Sequence, residues 1–377
     1  MRVVSPVPYC PPLPKLERLQ PFTRFRTVPR RLAMGTVDVH YPRFAVGLGS
    51  SLEALEGDTY YLAIRRLVDR LRREQPFDLI HANRIYPDGV AAYRLARRYD
   101  VPFVVTEHAP WNGWMDRRAV ARQALPAANA AAAIIAPSTY AAETIEPYAP
   151  AAKVRVVPPG VDGTEFPLTP AGSRRSDQIL FVGFVNFNKG LDVLLRAVQV
   201  LRRRGASGKL VVVGGAHYRR TEREGAELVA LAATLGVSDR VEFLGRRPPE
   251  EVARLMGESA AVVLPSRAES FGSVLVEALA CGTPVVATRC GGPEDVVVDT
   301  VGELVPVGDH EALAEALTRV LARRTAFDPE ALRDYALSRF GIRTVVDRTL
   351  EIYADALPTV AARVSLTGIP AVEARST

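Results

Sequence analysis

Lysine is almost missing from this chain. Of its 48 basic residues only Lys15, Lys153, Lys189 and Lys209 are lysines, and the rest are arginines. With alanine abundant as well, the bias reads as the codon usage of a GC-rich genome, so a lysine kept inside a motif carries information. Cysteine is equally scarce: Cys10, Cys281 and Cys290 form an odd, widely spaced set. That set argues against a disulfide framework and fits a reducing compartment. No cysteine or histidine pair stands at zinc-ligand spacing, which argues against a structural zinc. Long apolar runs are lacking too. Nothing approaches the roughly 18 residues that cross a bilayer, and the alanine-rich Ala127–Ile135 is closed by Pro126 and Pro137. The N-terminus has no secretion-signal layout of charged, then apolar, then small residues. A cytoplasmic protein is the expectation.

What remains is a chain of 377 residues, 48% hydrophobic and 24% charged. Those proportions suit a globular protein of two to three domains, by a rule of about 150 residues each, with a core that needs no staple. The net charge is +6. Residues 1–165 hold 22 basic and 16 acidic side chains, and the remainder holds 26 of each. The excess sits in the first half, where it points to an anionic partner or surface unless it is an incidental arginine excess on solvated helices.

Short β-branched runs alternate with helical patterns, the mark of parallel α/β architecture. In the first half, strands are expected at Phe77–His81, Pro102–His108, Ala133–Pro137 and Val154–Val157. Helices are expected at Pro87–Arg98, Arg117–Ala133 and Thr139–Tyr148. Met1–Val7 reads as a strand, followed by Pro- and Arg-rich material to about residue 48. Pro158–Ser176, rich in Pro, Gly and Thr, reads as a linker.

A second series follows the linker. Its strands are Gln178–Phe184, Lys209–Gly214, Val241–Leu244, Ala261–Pro265, Pro284–Thr288 and Glu303–Val305. Its helices are Gly190–Arg203, Thr221–Leu235, Pro249–Glu258, Ser273–Ala280, Asp309–Arg323, Pro329–Arg339 and Ile342–Ala356. Two Rossmann-like series put a ligand outside the strand C-termini.

The richest stretch is Pro265–Gly282, PSRAESFGSVLVEALACG. Ser270, Phe271 and Gly272 turn the chain into a helix beginning at Ser273. Free N–H groups at a helix start make an anion site, and Gly272 lets a phosphate approach closely. Glu277, one or two turns on, is placed to accept hydrogen bonds from a vicinal diol such as a ribose, and Glu269 from a sugar ring. Either glutamate alone reads as a capping or solvated carboxylate. Read with Gly-Thr-Pro-Val-Val after Cys281 and with Gly291–Gly292–Pro293–Glu294, the set resembles retaining glycosyltransferases of the GT-B fold, family 4 of the nucleotide-sugar transferases.

That resemblance rests on the E-x7-E motif at Glu269 and Glu277 and on FVGFVNFNKGLDVLL, LVVVGG, VEFLGRRPPEEV and VVATRCGGPEDVV. The first half adds FDLIHANRIYPDGVAAYRLARRYDVPFVVTEHAP and IIAPSTYAAETI. It covers residues 77–325 well and the ends weakly. It implies an α/β, GT-B fold: two Rossmann-like parallel-sheet domains facing across a cleft. The expected division is an acceptor-side domain 1–165, a nucleotide-sugar domain 166–340, a helix 341–358 crossing back, and a loose tail 359–377.

The resemblance also implies roles. Lys189 holds the donor diphosphate, where a compact ammonium is wanted in a chain that defaults to Arg. Glu269 binds sugar hydroxyls, and Glu277 holds the ribose. Gly183, Gly215, Ser270, Phe271, Gly272 and Ser273 line the donor. His108 lies by the reacting sugar, making His108, Lys189 and Glu269 the catalytic set; His81 reads better as packing.

The donor is expected to be a UDP- or GDP-linked sugar, with no cofactor and no metal. The acceptor is unknown, and an anionic or lipid-linked one is the expectation, with contact at the inner membrane surface through the basic N-terminal domain. No nucleic-acid motif accompanies the charge, so no nucleic-acid partner is expected. A degenerate nucleotide-binding partner of another transferase, or an epimerase on this fold, are the alternatives.

Three departures from the family pattern stand out. Phe184 occupies the place of an arginine after the first Gly of the VG strand. Pro158–Pro159–Gly160 replaces the usual PNG. The opening strand, Gly-rich loop and helix are missing before a strand that resembles the second of the layout, as if the start were assigned late or the loop lost.

Overall fold

The computed structural model describes residues 1–9, 23–45, 55–111, 113, 115–169, 175, 177–215, 219–323 and 326–357. It divides into two compact units. The first holds Met1–Ile135, Thr144–Arg155 and the chain from Thr349; the second holds Ala136–Glu143 and Val156–Arg348.

In the first unit the chain opens with β1 (Arg2–Val4) and β2 (Val7–Pro8), continues through β3 (Arg31–Met34) and β4 (Val37–His40), and reaches β5 (Arg43–Phe44). The expected strand Met1–Val7 is interrupted at Ser5–Pro6, because Pro6 has no N–H to give a ladder. The ladder resumes beyond it: Ser5 N–H donates to His40, Val7 N–H to Pro42 and Tyr9 N–H to Phe44. β1 and β4 pair in parallel, and β3 closes an antiparallel hairpin onto β4.

The sequence pattern assigned no element between residues 8 and 76. The hairpin there turns at Gly35, at φ +59. It is followed by the 19-residue helix α1 (Glu56–Glu74), whose buried Tyr60, Ile64, Val68 and Leu71 stand at helical spacing. Tyr60, Ile64 and Val68 pack with Phe44, Ala91 and Leu95, which seats α1 on the unit.

Then follow β6 (Ile80–Asn83), α2 (Val90–Tyr99), β7 (Phe103–Thr106), α3 (Arg118–Ala130), β8 (Ala133–Ala136), α4 (Thr139–Ile145), most of which belongs to the second unit, and β9 (Val154–Val156). These strands form a sheet in the order β6-β7-β8-β9. The helix expected at Pro87–Arg98 starts only at Val90. Ile85–Gly89 forms a wide π-type turn instead, with Tyr86 extended at φ −133 and ψ 128. A residue before proline is pushed out of the helical region, which delays the helix.

The second unit comprises β10 (Gln178–Val182), α5 (Leu191–Arg203), β11 (Lys209–Val213), α6 (Arg219–Thr234), β12 (Val241–Gly245), α7 (Pro249–Glu258), β13 (Ala261–Leu264), α8 (Ser273–Ala280), β14 (Val285–Thr288), β15 (Gly302–Val305), α9 (His310–Ala322), α10 (Pro329–Phe340) and the start of α11 (Ile342–Ala356). Its six strands are all parallel, in the order β12-β11-β10-β13-β14-β15. The chain winds outward from β10 through β12, then returns to β13 on the other side. In a doubly wound sheet a ligand crevice lies at that reversal, beyond the ends of β10 and β13. Strands β10, β13 and β14 are apolar almost throughout and buried on both faces, as a sheet covered by helices requires.

The stretch expected as a linker is part of this unit. Val161 bridges Gly341, and Arg333 donates to the carbonyls of Gly163, Phe166 and Ala280 at 2.8, 2.6 and 2.6 Å. Held this way, Val156 onward belongs to the second unit, which therefore starts before the expected division at 165. Residues 170–174 and 176 of that stretch, and the tail 359–377, lie outside the described residues.

Candidate functional site

The crevice at the sheet reversal is built from two loops. The first, Gly183–Gly190, leaves β10; the second, Pro265–Gly272, leaves β13. They touch at Gly190, where a Cβ would stand 1.8 Å from the Pro265 carbonyl oxygen. Gly190 also takes φ +69 to open α5, so both the close approach and the turn require glycine.

Arg267 crosses between the loops. Its guanidinium grips Asp192 with two hydrogen bonds of 2.8 and 2.7 Å and also donates to the Phe187 carbonyl. Its N–H donates to the Asn188 carbonyl at 2.8 Å. The Asn186 side chain accepts from Lys189 N–H at 2.9 Å, fixing the turn that presents this lysine.

Lys189 and Glu269 meet there. The lysine Nζ lies 2.5 Å from the Glu269 Oε1, which also accepts from the Ser266 hydroxyl at 2.7 Å. The two side chains are 22% and 11% exposed, so each can still be reached from the crevice while its partner compensates its charge. The Glu269 backbone is pinned from the far side: its N–H donates to Cys290 and its carbonyl accepts from Gly292. Burial pushes the Cys290 thiol up to about 11, with a smaller opposing effect from its bond to Thr288. That shift favours the thiol over the thiolate at neutral pH.

Gly272 caps α8 at φ +93, leaving the first N–H groups of that helix without intrahelical partners. The side chain of Phe271 is buried and packs edge-on against Phe340 at 5.7 Å between centroids. Phe271 can therefore serve a ligand through its backbone alone. Ser273 and Glu277, one turn apart on α8, line a cavity of about 260 Å³ with Pro159, Asp162, Glu165 and Ile342 among its other walls. Lys189 and Glu269 are not among those walls. Burial, and secondarily the charge of Glu165, raises the Glu277 carboxyl above its usual range.

Gly183 and Gly215 stand at the ends of β10 and β11. Gly183 N–H donates to Val213, and the side chain of Arg246 runs past Gly215. Phe184, in the place expected for a cation, is exposed.

His108 stands at a different sheet end, in the first unit. Its Nε2 is 3.1 Å from the Asn83 Oδ1, and both residues are exposed. Behind them the buried Glu107 ties the two strand-end loops together. It accepts from the N–H groups of Ile85 and His108 and from the Trp111 indole, at 3.0, 3.0 and 3.1 Å. Glu107 was missed in the sequence, although a carboxylate ending an apolar strand beside a singled-out histidine is a usable signal. Arg267 and Ser266 were missed too, though both lie inside the motif.

His81 is built into the fold: it binds Thr106 at 2.7 Å and the hydroxyl of Tyr353, on the part of α11 that belongs to this unit. Burial, and secondarily the charge of His108, lowers its pKa from 6.5 to about 4. Asp88 moves the other way, from 3.8 to about 6, through burial opposed by its bond to Tyr60. The two shifts act oppositely on stability. His81 must stay neutral in the fold, so its contribution is lost as pH falls from 6.5 toward 4. Asp88 favours the fold when protonated, so its contribution is gained as pH falls from 6 toward 3.8. Each shift corresponds to about 3 kcal/mol, and they nearly cancel. Asp88→Asn removes one of them. Urea titrations should show the variant losing about 3 kcal/mol more than the parent between about pH 6.5 and 4; parallel curves would show that the two groups are not so placed.

Two parallel-sheet α/β units in one chain, the second with a doubly wound strand order, fit the GT-B class of sugar transferases. Comparison with known proteins agrees. The family model described as glycosyl transferases group 1 matches residues 172–338, and that of glycosyltransferase family 4 matches residues 54–165. A D-inositol 3-phosphate glycosyltransferase of Xylanimonas cellulosilytica is 36% identical over 317 residues, covering 76% of this chain and 73% of that protein. The protein of the same name from Frankia alni is 38% identical over 269 residues, covering 65% of this chain; the chain spans 66% of its length. In fold, the chain is similar to a sucrose-phosphate synthase of Thermosynechococcus elongatus, with TM-score 0.74, 21% identity, and 88% and 87% of the two chains covered. It is also similar to Anabaena HepE in complex with UDP, with TM-score 0.70, 23% identity, and 84% and 86% covered. The chain belongs to the family 4 glycosyltransferases of the GT-B fold.

Proposed function

We propose that the protein transfers a sugar from a nucleotide diphosphate sugar to an acceptor hydroxyl with retention of anomeric configuration and without a metal. The observation that carries this is the Lys189–Glu269 pair, 2.5 Å apart at the reversal of the six-stranded sheet. Breaking the anomeric C–O bond places most of the new negative charge on the departing diphosphate. The Lys189 ammonium has three donors, of which Glu269 takes one. The others, with the open N–H groups after Gly272, face that charge in a fixed arrangement. Glu269 orients sugar hydroxyls, and Glu277 accepts from the ribose in the cavity lined by Asp162 and Ser273. His108 stands by the reacting sugar.

A retaining hydrolase would set a second carboxylate about 5 Å from the first, across the anomeric carbon. The sequence offers none for that place, so the acceptor attacks the face the leaving group departs from. UDP is the favoured nucleotide, supported by HepE, which was crystallised with UDP and with UDP-glucose. The acceptor is anionic, in line with the inositol phosphate in the relatives' names. Arg84 is the cation we assign to it: it is exposed at the end of β6 and held at φ 75, a conformation an arginine keeps only where its surroundings enforce it. The enzyme works in the cytoplasm, at the inner membrane surface.

Thermal shifts against UDP-, GDP- and ADP-sugars identify the donor, and proton NMR of the first product reads its anomeric form. A UDP-sugar is expected to stabilise the protein, with retention in the product and turnover unchanged by EDTA. Inversion, or loss of turnover in EDTA, overturns the corresponding part of the proposal. Phe184 favours one other reading, a nucleotide binder without turnover, which tight UDP binding with no donor consumption would identify.

A further inference from the structure

The charge excess is more local than the division at residue 165 suggests. Residues 1–50 carry eight basic and two acidic side chains, and the other 327 residues carry 40 of each. The sequence therefore concentrates its net charge in the first 50 residues; Lys15, Glu17 and Arg18 among them lie outside the described residues, and Arg2, Arg30 and Arg31 stand on or beside the β1-β4-β3 sheet.

That sheet has two unlike faces. Residues directly opposite in a ladder share a face, and the pairs alternate. One face holds Arg31, Asp38 and His40 from the hairpin and Arg2 from β1. Arg31 grips Asp38, and Arg2 reaches Glu74 on α1, so this face is turned toward that helix. The other face pairs Leu32 with Val39 and Met34 with Val37. Val39 is buried, but Leu32 opposite it and Met34 beside the turn are 44% and 59% exposed. Arg30, one residue before the strand, falls on the same face by alternation and is exposed. Among the described residues β3 is an edge strand. An edge carrying exposed leucine and methionine beside open N–H and C=O groups is a liability in water unless something covers it.

We propose that the outer face of the β3–β4 hairpin is a docking surface for an anionic lipid bilayer. The inference rests on the membrane reading above and not on the transfer chemistry; it names the surface that makes the contact. Arg30, just before β3, and Met34, at its end, are four residues apart, about 13 Å at strand rise. That span sets a guanidinium among lipid headgroups while the methionine reaches the upper acyl chains, the layout of an interfacial element. A nucleic acid would use the cations but not the aliphatic side chains. A second copy of this chain would repel through the same charge excess.

The test is co-sedimentation of the full chain with vesicles, at about 0.1 M salt so that only near-surface charge acts. Vesicles are either pure phosphatidylcholine or roughly one-quarter phosphatidylglycerol, enough to set up a negative surface potential. The parent should bind the anionic vesicles at least about tenfold more tightly than the neutral ones. The Leu32→Asp/Met34→Asp variant should lose about tenfold or more on both, and Arg30→Glu should lose most of the preference for anionic vesicles. Unfolding temperature and turnover on a soluble acceptor should match the parent in all variants, since none of these residues touches the site.

Equal vesicle binding by parent and variants overturns the hairpin assignment while leaving membrane contact standing. No binding by the parent overturns both, without bearing on catalysis. A parent dimer that the double variant dissociates, with no vesicle binding, assigns the face to a second copy instead.

Discussion

Lys189→Ala and Glu269→Gln should each lower kcat by about a hundred- to a thousandfold, the scale of losing one preorganised group at a developing charge. The reasoning differs for the two. Without Lys189 the departing diphosphate loses its ammonium. In Glu269→Gln the shape of the side chain stays, but the ammonium loses the carboxylate that aims it, and Ser266 loses a charged acceptor. Because the two groups are in contact, the double variant should be far less impaired than the product of the single effects. The fold should persist in both, since the backbone pins at Cys290 and Gly292 do not involve either side chain. Unchanged turnover in either variant would sink the site assignment, and so would multiplicative loss in the double variant.

Gly190→Ala should be among the most damaging small substitutions in the second unit. The new methyl would meet the Pro265 carbonyl oxygen at 1.8 Å, and the residue would have to hold φ +69. Gly236→Ala makes the matched control, because Gly236 has φ +67 with nothing within 4 Å of its added carbon. The control should cost about 1 kcal/mol, for the backbone conformation alone. Gly190→Ala should cost at least about 3 kcal/mol and lower the melting temperature by roughly 10 °C. Equal shifts in the two variants would mean that the loops after β10 and β13 do not touch as described.

The second unit was legible from its sequence almost strand for strand. Its strands are continuous apolar runs and its helices are amphipathic, so two different periods separate them cleanly, and Gly190 and Gly272 mark where helices begin. That Lys189 and Glu269, eighty residues apart, serve one donor came from resemblance, and their direct contact is seen only in the structure. Periodicity reports which residues share a face, not which loops converge at a sheet reversal.

The first unit was harder for physical reasons. Tyr60, Ile64 and Val68 do show helical spacing, but arginines crowd between them and the stripe is easily passed over. The hairpin at Arg31–His40 exposes apolar side chains, against the alternation by which a strand is usually recognised. Glu107 looked like a polar strand end, and only the structure shows three N–H donors converging on it.

The Val161–Gly341 bridge has a consequence for the chain as a polymer. Val161 N–H donates to Phe340, and Ile342 N–H donates back to Val161. The two ends of the long segment Val156–Arg348 of the second unit are thereby buttoned together, like the two ends of a belt. A unit whose ends are adjacent loses little by being cut loose from its neighbour or reopened elsewhere. The exposed turn at Gly236 is a natural place for new termini in a circular permutant, in which a short linker would span the button instead of the rest of the chain.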